Sequence, residues 1–209
     1  MKSKTITGNT VIIETIRSRD TTLAYRIKQD AMLTIVVLVS GNTNCAIDVG
    51  VHLVGKNSRA TIIGLVRGSD DAQITFHTMQ HHAAIGTTSN LLVKSILSDR
   101  SVFSYDGSIF VDQIAQKTDA YQRNENLLLD KTTRARSEPA LEILANDVRC
   151  THGATIGMID KEELWYLATR GIADAQAREM IATGFLQSAF SLIPDTMTRE
   201  KIERKCVLP

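Results

Sequence analysis

Up to about residue 150, hydrophobic positions come in short runs, some continuous and some alternating with polar residues. The stretches "TIVVLV", "ATIIGLV", "AQITF" and "SIFVDQI" are typical. Runs of this length rich in Ile, Val and Phe predict β-strands rather than helices. Clusters such as "GKNSRA", "RGSDDA" and "LSDRSV" separate them, each placing turn formers just ahead of a small residue and a new strand. This punctuation predicts a coiled stack of short strands, a β-solenoid in which each rung buries its inward side chains on the next. A β-sandwich would show similar turn spacing. The apolar stretch from Met32 to Val39 is expected to lie buried in the rung stack.

After residue 159 the period lengthens to that of a helix. Asp160 followed by Glu163 predicts an N-cap with a carboxylate at the third helical position. Leu164, Trp165, Leu167 and Ala168 then recur at helical spacing, and Gly171 reads as the stop. Asp174 is expected to cap a second helix, whose Ala177, Met180, Ile181, Phe185 and Leu186 form a wide apolar stripe. A short last helix is expected from about Asp195, after Pro194, through Ile202. The chain thus divides into a β body over 1–159 and a helical domain over 160–209.

Composition narrows the function classes. In 209 residues, 24 Lys and Arg nearly cancel 23 Asp and Glu, leaving a formal charge of +1 and no basic footprint for nucleic acid. No apolar run is long enough for a membrane span, and the lysine-containing N-terminus lacks the apolar core of a secretion signal. Cys45, Cys150 and Cys206 are scattered, without the spacing of a disulfide framework or a structural zinc site. A reducing, cytoplasmic setting is the expectation.

Candidate chemistry is sparse. His77 and His81 have metal-ligand spacing for a helix, but "QITFHTM" is strand-like. Four residues of strand separate the two by roughly 13 Å, too far for one ion. Polar or rung-stacking roles are expected for them and for His82, and His52 offers less still. No nucleophile elbow and no phosphate-binding glycine loop occurs. Asp70, Asp71 and Asp99 read as solvated turn residues rather than the paired carboxylates of a β-helical carbohydrate enzyme. In "DVRCTHGATIG", by contrast, an extended backbone puts Cys150 and His152 on one strand face, with Cα atoms about 6.6–6.8 Å apart. Thiolate sulfur and imidazole nitrogen are both iron ligands. Spacing alone leaves two readings open: a ligand pair, or a buried cysteine beside a hydrogen-bonded histidine at a strand end. Arg149 falls on the opposite face, where it should do little to lower the Cys150 thiol.

Four stretches, "HHAAIGTTSNLLVKSIL", "AQKTDAYQRNENLLL", "EPALEILANDVRCTHGATIGMID" and "ELWYLATRGIADAQAREMIATGF", together resemble the SufBD family, the scaffold subunits of the SUF iron–sulfur cluster assembly system. The resemblance runs from about residue 75 to residue 190. It implies a right-handed parallel β-helix followed by a small C-terminal helical domain. It also implies a non-catalytic role, a transient iron–sulfur cluster as cargo, and no ATP bound by this chain itself.

Two partners are implied as well. One is a SufC-type ABC ATPase docking on the helical domain, for which Leu164, Trp165, Leu167, Met180, Ile181 and Phe185 are the candidate contacts. The other is a SufB-type paralogue or a second copy of this chain, paired through the β-helix core near its last strands. The form Cys150-Thr151-His152-Gly153 is SufD-like, and makes Cys150 and His152 the candidate assembly-site and iron-ligating residues. Where SufB-type chains carry a functional cysteine, "DKTTRARSEP" has Thr132 and Thr133. That departure supports an alternative in which the chain is a SufC-binding and dimerisation module with no cluster ligands of its own in use. Measured against the family, the chain reads as a short member that begins inside the β body.

Overall fold

A computed structural model describes residues 3–17, 19–42 and 44–206. The strands are β1 (Lys4–Ile6), β2 (Thr10–Ile16), β3 (Thr21–Ile27), β4 (Met32–Gly41), β5 (Cys45–Leu53) and β6 (Arg59–Gly68). They continue as β7 (Gln73–His82), β8 (Thr88–Leu97), β9 (Val102–Val111), β10 (Thr118–Leu128), β11 (Arg134–Ile143) and β12 (Val148–Met158). Three helices follow: α1 (Lys161–Thr169), α2 (Asp174–Phe190) and α3 (Thr196–Cys206). The odd-numbered strands form one sheet, in the order β1-β3-β5-β7-β9-β11, and the even-numbered strands form the other. Every pairing is parallel and joins a strand to the one two along. A sandwich of hairpins cannot do this; a coil can. The fold is a parallel β-helix with a small helical appendage.

The corners explain the polar punctuation. Asp30, Asn57, Asp70, Asp99 and Lys117 all have positive φ, between 54° and 61°. Asp and Asn tolerate the left-handed region better than other non-glycine residues, and Gly86 takes the same conformation at φ 71°. Successive corners hydrogen-bond to one another: Asp30 N–H to Lys56 O at 3.0 Å, Asn57 N–H to Ile85 O at 3.1 Å, Gly86 N–H to Gln116 O at 2.9 Å. On the other side, the Asp99 carboxylate accepts from the Asp70 N–H at 3.0 Å, and the Asp130 carboxylate from the Asp99 N–H at 2.8 Å. The side chains of turn aspartates Asp99 and Asp130 therefore cap the preceding rung.

The two sheets differ in what covers them. The odd sheet buries one face, and β5 and β9 alternate strictly between buried and half-buried positions. The middle strands of the even sheet, β4, β6 and β8, are covered on both faces, which accounts for their near-continuous apolar runs. Leu33, Ile35, Val37 and Val39 of β4 point into the coil, whereas Val36 and Leu38 point outward into a second cluster with Ala182, Leu186, Phe190 and Ile202 of the helices. The Met32–Val39 stretch is thus only half explained by the rung stack. The helices lie along the flank of the even sheet, and their apolar residues cover the outer face of β4, β6 and β8 and the end of β10 at Leu127.

Helix α1 starts as its sequence predicts: the Asp160 side chain accepts from the Glu162 N–H at 2.8 Å, and Arg170 ends the helix ahead of Gly171 at φ 79°. Asp174 is not the cap of α2. Ala173 holds that position without a side-chain bond, and Asp174 pairs with Arg178 one turn on, at 2.7 Å. Asp195 caps α3 through the Thr198 N–H at 2.7 Å, and the helix continues past Ile202 to Cys206. Arg67 on β6 fixes α2 by a two-pronged contact with Glu179, at 3.0 and 2.5 Å.

Candidate functional site

Among the described residues, no element covers the last rung of the β-helix. Among the described residues β11 pairs only with β9, and β12 only with β10, so both strands leave an edge unpaired. Cys150 and His152 sit on that last rung. Their register partners are Ala120 and Gln122, which are buried inside the coil. Parallel strands in register point their side chains the same way, so both residues face the open end of the interior. Cys150 is half-buried against a cluster containing Ile109, Val111, Ala115, Ala120 and Ala145, while His152 is exposed. Burial pushes the Cys150 thiol up, partly offset by a hydrogen bond with the Ala120 backbone; nearby Asp119 adds a smaller rise. Arg149 stands on the outer face, its Nε donating to Asp119 at 3.1 Å, and gives the thiol no activating charge. Among the described residues, no three His, Cys, Asp or Glu side chains converge as a metal site. The pair therefore offers at most part of a coordination sphere.

Beneath this end the interior changes character. In the early rungs it is Ile, Val and Leu; in the later ones it holds Thr78, Gln80, His82, Ser89, Tyr105, Gln122, Asn124 and Asn126, all buried. Gln122, one rung below His152, accepts from Gln80 Nε2 at 3.1 Å and donates to Gly107 O at 3.1 Å. Thr78 and Tyr105 share a hydroxyl–hydroxyl bond of 2.8 Å. Gly107 is required here, since a Cβ would lie 2.2 Å from the Tyr105 hydroxyl. His82 bonds Thr87 and Ser89 at 2.8 Å each, and burial drives its imidazole down to about 4, so it is neutral. Sequence reasoning missed this polar interior. The signal was present as polar residues at alternate positions of "QRNEN", once their inward phase is known.

The other histidines are rung-to-rung partners. His77 Nδ1 lies 3.4 Å from the Asp106 carboxylate in the neighbouring strand. His81 meets His52 at 3.2 Å and Asp112 at 3.2 Å, so His52 is more involved than its sequence context indicated. Asp48, His77, Asp106 and Glu138 share one register row on the outer face of the odd sheet. Glu138 there is paired with Arg136. In the turn before β11, Thr133 is buried with its hydroxyl donating to Asp130 O at 2.7 Å, and Thr132 bonds the Asp99 carbonyl.

The second candidate region is a groove of about 1150 Å³ between α1, α2 and the end of β12. Trp165, Leu167, Met180, Ile181 and Phe185 line it with Tyr166 and Met158, and Asp160, Glu162 and Glu163 also contribute to its wall. Trp165 is 70% exposed and Met180 48%. Leu164 is not in the groove; it packs inward on the cluster under the helices. No helix among the described residues is long and apolar enough to cross a membrane.

Fold and site together define a class: a parallel β-helix whose last rung, among the described residues, leaves its outer edge unpaired, with sulfur and nitrogen donors on that rung and a grooved helical appendage on one flank. The chain belongs to the SufBD family. The family described as "SUF system FeS cluster assembly, SufBD core domain" matches residues 18–185. The iron–sulfur cluster assembly protein SufD of Escherichia coli is 35% identical over 151 residues, covering 72% of this chain and 36% of that protein. A SufBD family protein of Mycobacterium tuberculosis is 31% identical over 185 residues, 85% of this chain and 47% of the relative. One from Synechocystis is 36% identical over 118 residues, 56% and 26% respectively. The chain thus spans less than half the length of these relatives.

Proposed function

We propose that this chain is a non-catalytic, SufD-like scaffold subunit for iron–sulfur cluster assembly in the cytoplasm. Cys150 and His152 are offered at the open end of the β-helix, and a SufB-type subunit or a second copy completes the site. The observation that carries this reading is the position of both donors on an edge strand whose outer side is unpaired among the described residues, facing the mouth of a polar interior. An edge strand is a ready template for pairing with another chain. Around it Ile143, Leu144 and Ile156 are exposed, as an interface would need. The cargo is iron and sulfide, held transiently; the thiol must ionise to bind iron, so assembly weakens in acid. A SufC-type ATPase docks on the helical groove, with Trp165 and Met180 as exposed apolar anchors. ATP binds to that partner and not to this chain.

A second reading is favoured by the threonines at 132 and 133 and by the absence of a third converging ligand among the described residues. In it the chain is a docking and dimerisation module whose Cys150 and His152 do not touch the cluster. Co-expression with a SufC-type ATPase and a SufB-type subunit, followed by reconstitution with iron and sulfide, separates the two. The scaffold reading expects Cys150→Ala and His152→Ala each to lower cluster yield with the complex intact. Unchanged yield in both variants assigns the chain to the docking module.

A further inference from the structure

A chain of polar contacts runs from the middle of α2 to the edge strand β12. Lys94, on the outer face of β8 and almost wholly buried, donates from Nζ to the Phe185 carbonyl of α2 at 2.5 Å. The same ammonium lies 4.2 Å from the centre of the Phe185 ring and 2.6 Å from the Glu125 carboxylate on β10. Arg123 closes on the other oxygen of Glu125. The next residues along the same two strands repeat the link inside the coil. Ser95 donates to Asn126 Oδ1 at 2.7 Å, and Asn126 Nδ2 donates to the Thr155 carbonyl of β12 at 3.1 Å. Thr155 is also the register partner of Glu125, three residues past His152.

We propose that Lys94, Glu125 and Asn126 form a mechanical link that transmits displacement of α2 to the strand bearing Cys150 and His152. The physical reason is the cost of leaving buried charge unpaired. If α2 shifts, Lys94 must follow the Phe185 carbonyl or lose it, and Glu125 must follow Lys94. Packed interiors deform little within a rung, so a shift at Glu125 reaches Asn126, and through it the Thr155 carbonyl. Phe185 also lines the groove between α1 and α2, which puts the start of the link where a partner would press. The link is a property of this chain; its use in signalling rests on the docking reading above.

Hydrogen exchange on the full chain tests it. Lys94→Met keeps the aliphatic stem while removing the charge. It is expected to speed exchange in α2 and also in 148–158, by roughly two- to thirtyfold. Asn126→Ala leaves α2 unchanged, and in the double variant 148–158 no longer responds to the Lys94 change. Glu125→Gln, which cuts the ion pair but keeps the shape, reproduces the effect on 148–158 and serves should Lys94→Met fold poorly. Faster exchange confined to α2, or additive effects in the double variant, would overturn the link. Adding a SufC-type ATPase forms a separate arm. Failure of that ATPase to bind the wild type counts against the docking reading alone, because exchange in the isolated chain still decides the link.

Discussion

His52 and His81 meet nitrogen to nitrogen across neighbouring strands of the odd sheet, Nδ1 to Nδ1 at 3.2 Å. On its far side His81 Nε2 lies 3.2 Å from Asp112, whose ionised carboxylate only accepts. With both rings neutral, His81 therefore carries its proton on Nε2 and accepts at Nδ1, and His52 donates from Nδ1. Burial, the His81 ring and Arg26 lower the His52 pKa, in that order. Nitrogen NMR of labelled protein near neutral pH should show His52 as the Nδ1–H tautomer. An Nε2–H signal for His52 would contradict the relay. Acidification that protonates both rings sets two N–H groups against each other, and the contact should then break.

His82 makes the fold acid-sensitive. Its folded-state pKa is about 4 against 6.5 for the free side chain, so the unfolded chain binds more protons through that window. Stability contributed by the neutral form is complete above pH 6.5, falls as pH drops, and is fully lost below about 4. The loss should be about 3 kcal/mol. Urea unfolding at pH 7 and pH 5 should show the midpoint falling in the wild type, with a shallower dependence in His82→Gln.

Gly107 admits two side chains at once. A methyl group there would lie 2.2 Å from the Tyr105 hydroxyl and 2.6 Å from Gln122 Nε2. Gly107→Ala should cost about 1–3 kcal/mol by overpacking. Thermal melting measures this, and a melting point equal to that of the wild type would show that the interior yields more easily than its hydrogen bonds imply.

The Arg67–Glu179 contact is half-buried, with side-chain exposures of 23% and 29%. Glu179→Gln keeps the shape while weakening the charge-assisted pair, and should destabilise the α2 attachment by about 1 kcal/mol. Limited proteolysis should then cut the helical segment sooner, with the β-helix resistant as before.

Trp165 separates stability from docking. It is 70% exposed, so Trp165→Ala should change stability by less than about 0.5 kcal/mol. As an aromatic anchor it should cost about 2 kcal/mol or more of affinity for a SufC-type ATPase, roughly a thirtyfold loss. Equal affinity of both proteins, measured by calorimetry, would remove Trp165 from the docking surface.

Much of the architecture was legible locally. Period-two runs, Asp and Asn at the corners and the Asp160 cap follow from backbone sterics within a few residues, and they suffice for a β-solenoid followed by helices. The shared strand of Cys150 and His152 was legible for the same reason. What local pattern cannot carry is register between strands about thirty residues apart. Register alone pairs His52 with His81, sets Gln122 beneath His152, and aligns Lys94 with Glu125 and Thr155. Nor does an apolar run reveal what covers it. Val36 and Leu38 read like any strand residues until the helices settle on the even sheet and bury them. By itself, then, the sequence determined the strands, the corners and the donor pair. Only the tertiary structure decided that the pair stands on an open edge, above a polar interior and tied by buried charge to the helical flank. Contacts between distant rungs are chosen by the packing of the whole coil, and no single segment encodes them.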